Sequence, residues 1–326
     1  MNFRTELSWK AGDCGINHSS KLIFIGSCFA DNFGGKFLAL KFNVVLNPNG
    51  IIFHPFPILE TISRAIKDQP FSENDLVKRD DAIFSWQHHS QHFGSEKLQF
   101  LNSLNEQQKN LRNQLKSADY IFITFGTAWG FEVKSTGKIA ANCHKIPSSN
   151  FDKKLTSNAE IASSGIEVIQ LMQKLNPNIK IFFSVSPVRH IKDGIIENNR
   201  SKAELVSATH QIIEATTNTK YIPAFEWLMD DLRDYRFYGK DNVHPSEEAI
   251  EYIWEKLSAT FFEEETRKAI HQIQEIISAV NHKPFRSESK EHKRFLEKTI
   301  SKIKTLEAPI QQAFSSELEI LKAQIK

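Results

Sequence analysis

From residue 21 to about residue 258, short apolar runs that stop abruptly alternate with amphipathic helical stretches. Lys21–Ile25 stops at Gly26, Asn43–Leu46 at Asn47-Pro48-Asn49-Gly50, Asp119–Phe125 at Gly126, and Lys180–Val185 at Ser186-Pro187. Thr219–Pro223 is a weaker fifth run. An unbroken apolar run between turn signals is the pattern of a strand buried on both faces. Helical spacing falls between the runs, at 31–40 (Phe33, Phe37 and Leu40 on one face), 56–67, 104–117, 158–175 and 200–216. Strands alternating with helices predict an α/β fold, a mostly parallel sheet of five strands covered on both faces. Such sheets bind ligands beyond the carboxyl ends of their strands, so the strand-end loops carry the candidate chemistry.

The pattern changes near Thr260. No further strand signal occurs, and the chain becomes rich in Glu, Lys and Gln. Phe262, Ala269, Ile270, Ile273, Ile277 and Val280 form one helical stripe. After a break at Asn281–Pro284, the stripe resumes through Leu296, Ile300, Ile303, Leu306, Ile310, Phe314, Leu318, Leu321 and Ile325. Steps of three and four are the coiled-coil pattern, and Pro309 predicts a kink or restart. The reading is therefore a domain over 1–258 and a helical, coiled-coil-like extension over 259–326. The extension suits partner docking or a homodimer, and its basic stretch after Pro284 reads as a solvated face.

Composition excludes several classes. Lys plus Arg is 41 against 39 Asp plus Glu, a formal charge of +2, so no nucleic-acid partner is expected. No apolar run approaches the roughly 20 residues of a membrane span. The N-terminus carries charges where a secretory signal needs an apolar core, which predicts a cytoplasmic protein. Three cysteines, Cys14, Cys28 and Cys143, do not make a disulfide framework. No glycine-rich phosphate motif occurs, so no nucleotide cofactor is expected. His88, His89 and His92 lack a His-Glu-x-x-His frame, and no metal centre is predicted.

Three strand-end features stand together. Gly26-Ser27-Cys28-Phe29-Ala30 joins the first strand to the first helix, where free amides and the helix dipole lower a thiol pKa and stabilise an oxyanion. Asp241-Asn242-Val243-His244 lets one loop carry a base and the carboxylate that orients it. Asn47–Gly50 and Asn142-Cys143-His144-Lys145 offer hydrogen-bond donors, or are loops held by asparagine turns.

Gly-Ser-Cys-Phe-Ala resembles the signature of the GSCFA family, a branch of the SGNH/GDSL-like hydrolase superfamily. Further segments resemble the family's other blocks in order: Asn47–Ile51, Trp86–Ser90, Thr124–Trp129, Asn142–Lys145, Ser186–His190, and Arg233–Tyr238 with Asp241–Pro245. The resemblance implies a three-layer α/β/α sandwich with a flavodoxin-like sheet, a nucleophile in the first block and an Asp-x-x-His in the last. It also implies an oxyanion hole from a glycine amide, matching Gly50, and an asparagine side chain. The superfamily's first block reads Gly-Asp-Ser, so anchoring on Gly26 makes Cys28 the nucleophile. A slip by one makes it Ser27. The third block's Gly-x-Asn-Asp is Gly126-Thr127-Ala128-Trp129 here, and Asn142 is the nearest replacement for the missing asparagine.

The expected activity is ester hydrolysis or acyl transfer. Cys28 or Ser27 is the nucleophile, His244 the base, Asp241 its orienter, and Gly50 and Asn142 the oxyanion donors. Asn47, His88, His89, Trp129, His144, Lys145, Arg189 and His190 are the candidate substrate contacts. Arg189 and His190 are equally suited to pairing with Asp230 and Asp231. At the superfamily level the substrate is an O-acyl group on a carbohydrate-like molecule. The competing expectation is a non-catalytic binding module on the same fold. A catalytic Cys28 is expected to have a depressed pKa.

Overall fold

The computed structural model describes residues 4–12, 14–282, 284–285 and 288–325. Lys283, within the Asn281–Pro284 break, lies outside them, as does Arg286 of the basic stretch. Five strands form a fully parallel sheet: β1 (Lys21–Gly26), β2 (Asn43–Leu46), β5 (Tyr120–Phe125), β9 (Lys180–Val185) and β10 (Thr219–Ile222). Their spatial order is β2-β1-β5-β9-β10. Numbered along this sheet alone, that is the 2-1-3-4-5 order of flavodoxin-like folds.

The strands sort their side chains by alternation. Leu22, Phe24, Tyr120, Phe122, Phe182 and Ile222 enter one core. Ile23, Ile25, Ile121, Ile123, Phe125, Ile181, Phe183 and Val185 enter the other. Period two with both faces apolar is why the runs read as unbroken in sequence. The second core is closed by α2 (Pro55–Lys67), α3 (Lys97–Ser117), α4 (Asn158–Leu175) and α5 (Ile195–Ala215). The first is closed by α1 (Cys28–Ala39) and α7 (Glu247–Phe261). The result is three layers, as the family resemblance implied.

Two small sheets lie outside the predicted pattern. The hairpin β3 (Leu76–Arg79) and β4 (Ala82–Ser85) is one; β6 (Trp129–Val133), β7 (Lys138–Ile139) and β8 (Phe151–Leu155) form the other. Helix α5 starts five residues before the predicted point. Its first turns bury Asn198, Ser201 and Lys202, so the inward face is polar and shows no apolar periodicity. Between β10 and α7 the chain makes the short helix α6 (Ala224–Glu226) and irregular turns.

The C-terminal segment forms α8 (Glu264–Asn281), α9 (Lys290–Lys304), α10 (Ala308–Ala313) and α11 (Ser315–Ile325), with Pro309 in the first turn of α10. Every residue of the predicted stripe packs into the same core as α1 and β1. Phe262 stacks on Phe42 (5.4 Å between centroids) and meets Phe37 edge-on (5.7 Å). Lys41 lies over the Phe314 ring (4.7 Å) and pairs with Glu317. The stripe is thus covered within the chain.

This shared core makes a prediction. Truncation after residue 258 would uncover Phe37, Phe42 and Trp254, and each large apolar side chain returned to water costs about 1.5–3 kcal/mol. The truncated chain is expected to precipitate or to unfold without a cooperative transition in urea. A soluble fragment with full-length stability would mean the helices are a separate appendage.

Candidate active site

The β1–α1 junction is the tightest place in the fold. Gly26 has φ +143°, and a Cβ there would run into the Thr124 carbonyl of β5. The Ser27 amide donates to Thr124 O (3.2 Å), Gly26 N to Asn47 Oδ1 (2.9 Å), and Ile52 N to Gly26 O (2.9 Å). Ser27 is the N-cap of α1 and is fully buried, its Oγ accepting from the Phe29 amide at 3.3 Å. Cys28 is the first residue of the helix and is partly exposed. Its own amide makes no bond to a backbone carbonyl among the described residues, as is usual of a first-turn amide, and meets its own thiol instead. The structure therefore gives the two first-block candidates different jobs. The serine hydroxyl holds the helix start, and the thiol is partly buried against its own amide.

The thiol is not activated by its position. Burial pushes its pKa above the ordinary thiol value, its own backbone amide pulls it back only partly, and Asp31 adds to the rise. The shift is opposite to the depressed pKa expected at the helix N-terminus, and its largest cause is desolvation.

Asp241 and His244 form the geometry expected of an oriented base. His244 Nδ1 donates to Asp241 Oδ2 (2.7 Å), while Asp241 Oδ1 accepts from the amides of Val243 (2.9 Å) and His244 (3.1 Å). The bond from His244, joined by those two amides, holds the Asp241 carboxyl far below the usual carboxylate range. With Nδ1 committed, Nε2 is the free basic atom. Both side chains are about half exposed. The loop is tied to the sheet edge by Arg189 N, which donates to Val243 O (3.1 Å). No hydrogen bond joins Cys28 to His244 among the described residues.

Several predicted contacts have other duties. The Gly50 amide donates to Asn47 O at 2.7 Å, closing a turn in which Gly50 has φ +78°, so it is not free to meet an oxyanion. Asn47 is buried, its side chain bridging the Gly26 amide and Asp31. His88 is buried on Ser85 Oγ (2.9 Å) and against Phe71, its pKa pushed down to about 3 mainly by burial. His144 is buried on the Ser85 carbonyl (2.8 Å) and stacked on Phe84. All four therefore have partners within the fold; turns and cores use the same residue types as sites do. Arg189 does not pair with Asp230 or Asp231. Its guanidinium lies over Tyr238 (3.9 Å) and Tyr235 (5.1 Å), while Asp230 pairs with Arg233 and Asp231 accepts from Leu7 N and Tyr252 Oη.

The remaining candidates are less buried. His89 is half-buried against Gly50, its amide donating to Asn49 O (2.9 Å). Asn142 is half-buried; its Oδ1 accepts from His144 N (2.8 Å), which leaves the amide nitrogen as a donor. Lys145 is exposed. Trp129 is half-buried, donates to Glu197 O (3.1 Å), and is flanked by Lys153 and Arg200. His190 packs edge-on against Phe53 (5.4 Å) at the end of β9.

One residue was absent from the sequence reading. Lys202 of α5 is buried without a carboxylate partner. Its ammonium donates to the carbonyls of Gly126 (2.8 Å) and Ser186 (2.6 Å), tying together the ends of β5 and β9. Burial pushes its pKa down to about 7. A lysine inside a helix gives no sequence signal of this role.

Two hollows lie elsewhere. One of about 600 Å³ is lined by Arg4 and the 230–237 segment. Another of about 380 Å³ lies against α2 and α4, with Lys67–Glu167 and Lys138–Glu60 ion pairs at its edge. Neither contains Cys28 or His244. Among the described residues no cluster of three or more His, Cys, Asp or Glu is arranged to hold a metal ion, and no helix is long and apolar enough to cross a membrane.

A parallel sheet with an Asp-x-x-His loop and a helix-start thiol at its carboxyl edge defines an α/β protein with a candidate nucleophile site. The chain belongs to the GSCFA family: the family's model matches residues 21–257, and the model of the GSCFA domain protein C-terminal domain matches residues 273–326. Among solved structures the chain is similar to an acetyl xylan esterase from the rumen bacterium Butyrivibrio proteoclasticus, at 13% identity and a TM-score of 0.37. That match covers 76% of this chain and 66% of the esterase chain. No curated protein matches the sequence.

The raised thiol pKa makes a prediction. Alkylation of Cys28 by iodoacetamide, followed by peptide mass mapping, is expected to be slow at neutral pH and still rising through pH 9. A rate that levels off below about pH 7 would show a standing thiolate and contradict the burial argument.

Proposed function

We propose that this chain is an ester hydrolase or acyltransferase in which Cys28 is the nucleophile and His244, oriented by Asp241, is the general base. The observation that carries the reading is the 2.7 Å bond from His244 Nδ1 to Asp241, which leaves Nε2 as the proton acceptor. It joins a partly buried thiol at a helix start, on the same edge of the sheet. The superfamily relationship implied by the family's motifs supports the same roles.

In the proposed reaction His244 Nε2 takes the thiol proton as Sγ attacks the acyl carbon. Because burial raises the thiol pKa, base assistance is required, as it is for a serine. The tetrahedral oxyanion is stabilised by the Cys28 amide and the Asn142 side chain. Collapse breaks the ester C–O bond, and the imidazolium returns its proton to the leaving alkoxide. Water, deprotonated by His244, then attacks the thioester and releases the acid; an acceptor hydroxyl in its place makes the reaction an acyl transfer. The proposed substrate is an O-acyl group on a carbohydrate-like molecule.

The absence of a Cys28–His244 bond favours a second reading, a binding module without turnover. Hydrolysis of p-nitrophenyl acetate separates the two. Cys28→Ala and His244→Ala are expected to lose turnover, and Asp241→Asn to fall by roughly 10³–10⁴ through loss of the correct tautomer. Ser27→Ala is expected to keep turnover while losing about 1 kcal/mol of stability as an N-cap. Equal rates in all variants would leave the binding module.

A further inference from the structure

The proposed oxyanion hole is short of a donor. The Gly50 amide is spent in its own turn (2.7 Å to Asn47 O), which leaves the Cys28 amide and Asn142. The β5 segment Gly126-Thr127-Ala128 offers no side-chain amide. The Gly126 and Thr127 amides donate to Phe53 O (2.8 and 3.1 Å), the Ala128 amide to Ser201 Oγ (2.7 Å).

His190 packs on the loop that follows the nucleophile's strand neighbour. Ile52 donates to Gly26 O beside the nucleophile, and Phe53 O receives the amides at the end of β5, so residues 52–53 bridge the two strand ends. The His190 ring packs edge-on against Phe53. Its neighbour Arg189 is bonded to the Val243 carbonyl, next to the base. The His190 amide donates to Asn198 Oδ1 (2.8 Å), which fixes the backbone from α5. Within this fixed setting Nε2 is buried and has no hydrogen-bond partner among the described residues. A buried polar atom left without a partner is unusual in a native protein and calls for an explanation.

We infer that His190 is an oxyanion donor of this site, its neutral Nε2–H hydrogen-bonding the substrate's carbonyl oxygen as it gains charge. The inference rests on the hydrolase reading above. Two features of the environment fit it. Burial, reinforced by the nearby Lys202 and His244, pushes the His190 pKa down to about 4, so the ring is uncharged at neutral pH and keeps one N–H to give. A neutral imidazole in a dry site is a competent electrophile. Lys202 is anchored by the Gly126 and Ser186 carbonyls, so its charge is held in place on the β5–β9 side. Carbonyl attack demands no atom beyond the proposed substrate, and the proton on Nε2 is shared rather than transferred.

The test compares two reactions of one thiol. Ester acylation passes through an oxyanion, whereas alkylation by iodoacetamide does not. With wild type, His190→Ala, His190→Gln and Cys28→Ala, kcat and KM for p-nitrophenyl acetate are measured beside the alkylation rate of Cys28. His190→Ala is expected to lose about 100-fold in kcat with KM within about two-fold, and His190→Gln, whose amide can reach the same point, to recover to within about ten-fold. Alkylation is expected to be unchanged in both His190 variants. Full turnover in His190→Ala beside a dead Cys28→Ala overturns the donor role and leaves the hydrolase reading standing. Alkylation falling in step with kcat overturns it too, because His190 would then act on the thiol or the fold. Wild-type turnover absent, or surviving in Cys28→Ala, removes the hydrolase reading and the donor with it.

Discussion

The account depends on how closely β1 approaches β5 at Gly26. Only a residue without a Cβ fits against the Thr124 carbonyl at φ +143°. That fit lets Ser27 donate to the same carbonyl and turn the chain directly into α1. A side chain at Gly26 would push the two central strands apart, and with them everything built on the edge. The Asn47 side chain locks the junction from β2, and Ile52 locks it from the following loop. Cys28 is therefore placed by backbone geometry before any side-chain chemistry is considered.

Two costs are concentrated at this edge. One is the buried ammonium of Lys202, held by carbonyls alone; desolvating a charge without a counter-ion is expensive, and its pKa falls in response. The other is the buried, partnerless Nε2 of His190. Both occur where β5 and β9 end, and neither is needed to close the apolar cores, which are satisfied by the alternating strand residues. Perturbed groups gathered at one strand end mark a working site more often than a structural one.

The central fold was readable because both sheet faces are apolar, so four of the five strands announce themselves as apolar runs; β10, with Lys220 exposed, is the weaker fifth. What escaped the reading has physical causes. The β3–β4 hairpin and the β6–β8 sheet are short and half-exposed, with little apolar pattern. The first turns of α5 bury Asn198, Ser201 and Lys202, which hides the helix and the lysine together. In the site, the Asp241–His244 pair was legible because one short loop contains both partners. The contacts that Gly50, Asn47, His88 and His144 make within the fold were not legible, because residue type does not reveal which polar groups the backbone already uses. Ser27 and Cys28 are adjacent in sequence; only the N-cap geometry separates their roles. The tail's stripe was legible as a helical surface, but a stripe does not say what covers it, and here α1 and the β1 face do.

The most direct test of the central claim is to trap the acyl group. The protein is mixed with p-nitrophenyl acetate, quenched in acid after a fraction of a turnover, digested and mapped by mass spectrometry. An acetyl group on Cys28, accumulating in wild type and absent when His244 is replaced by alanine, is the predicted result. Acetylation of Ser27, or of Cys28 at the same rate with and without His244, would contradict the account.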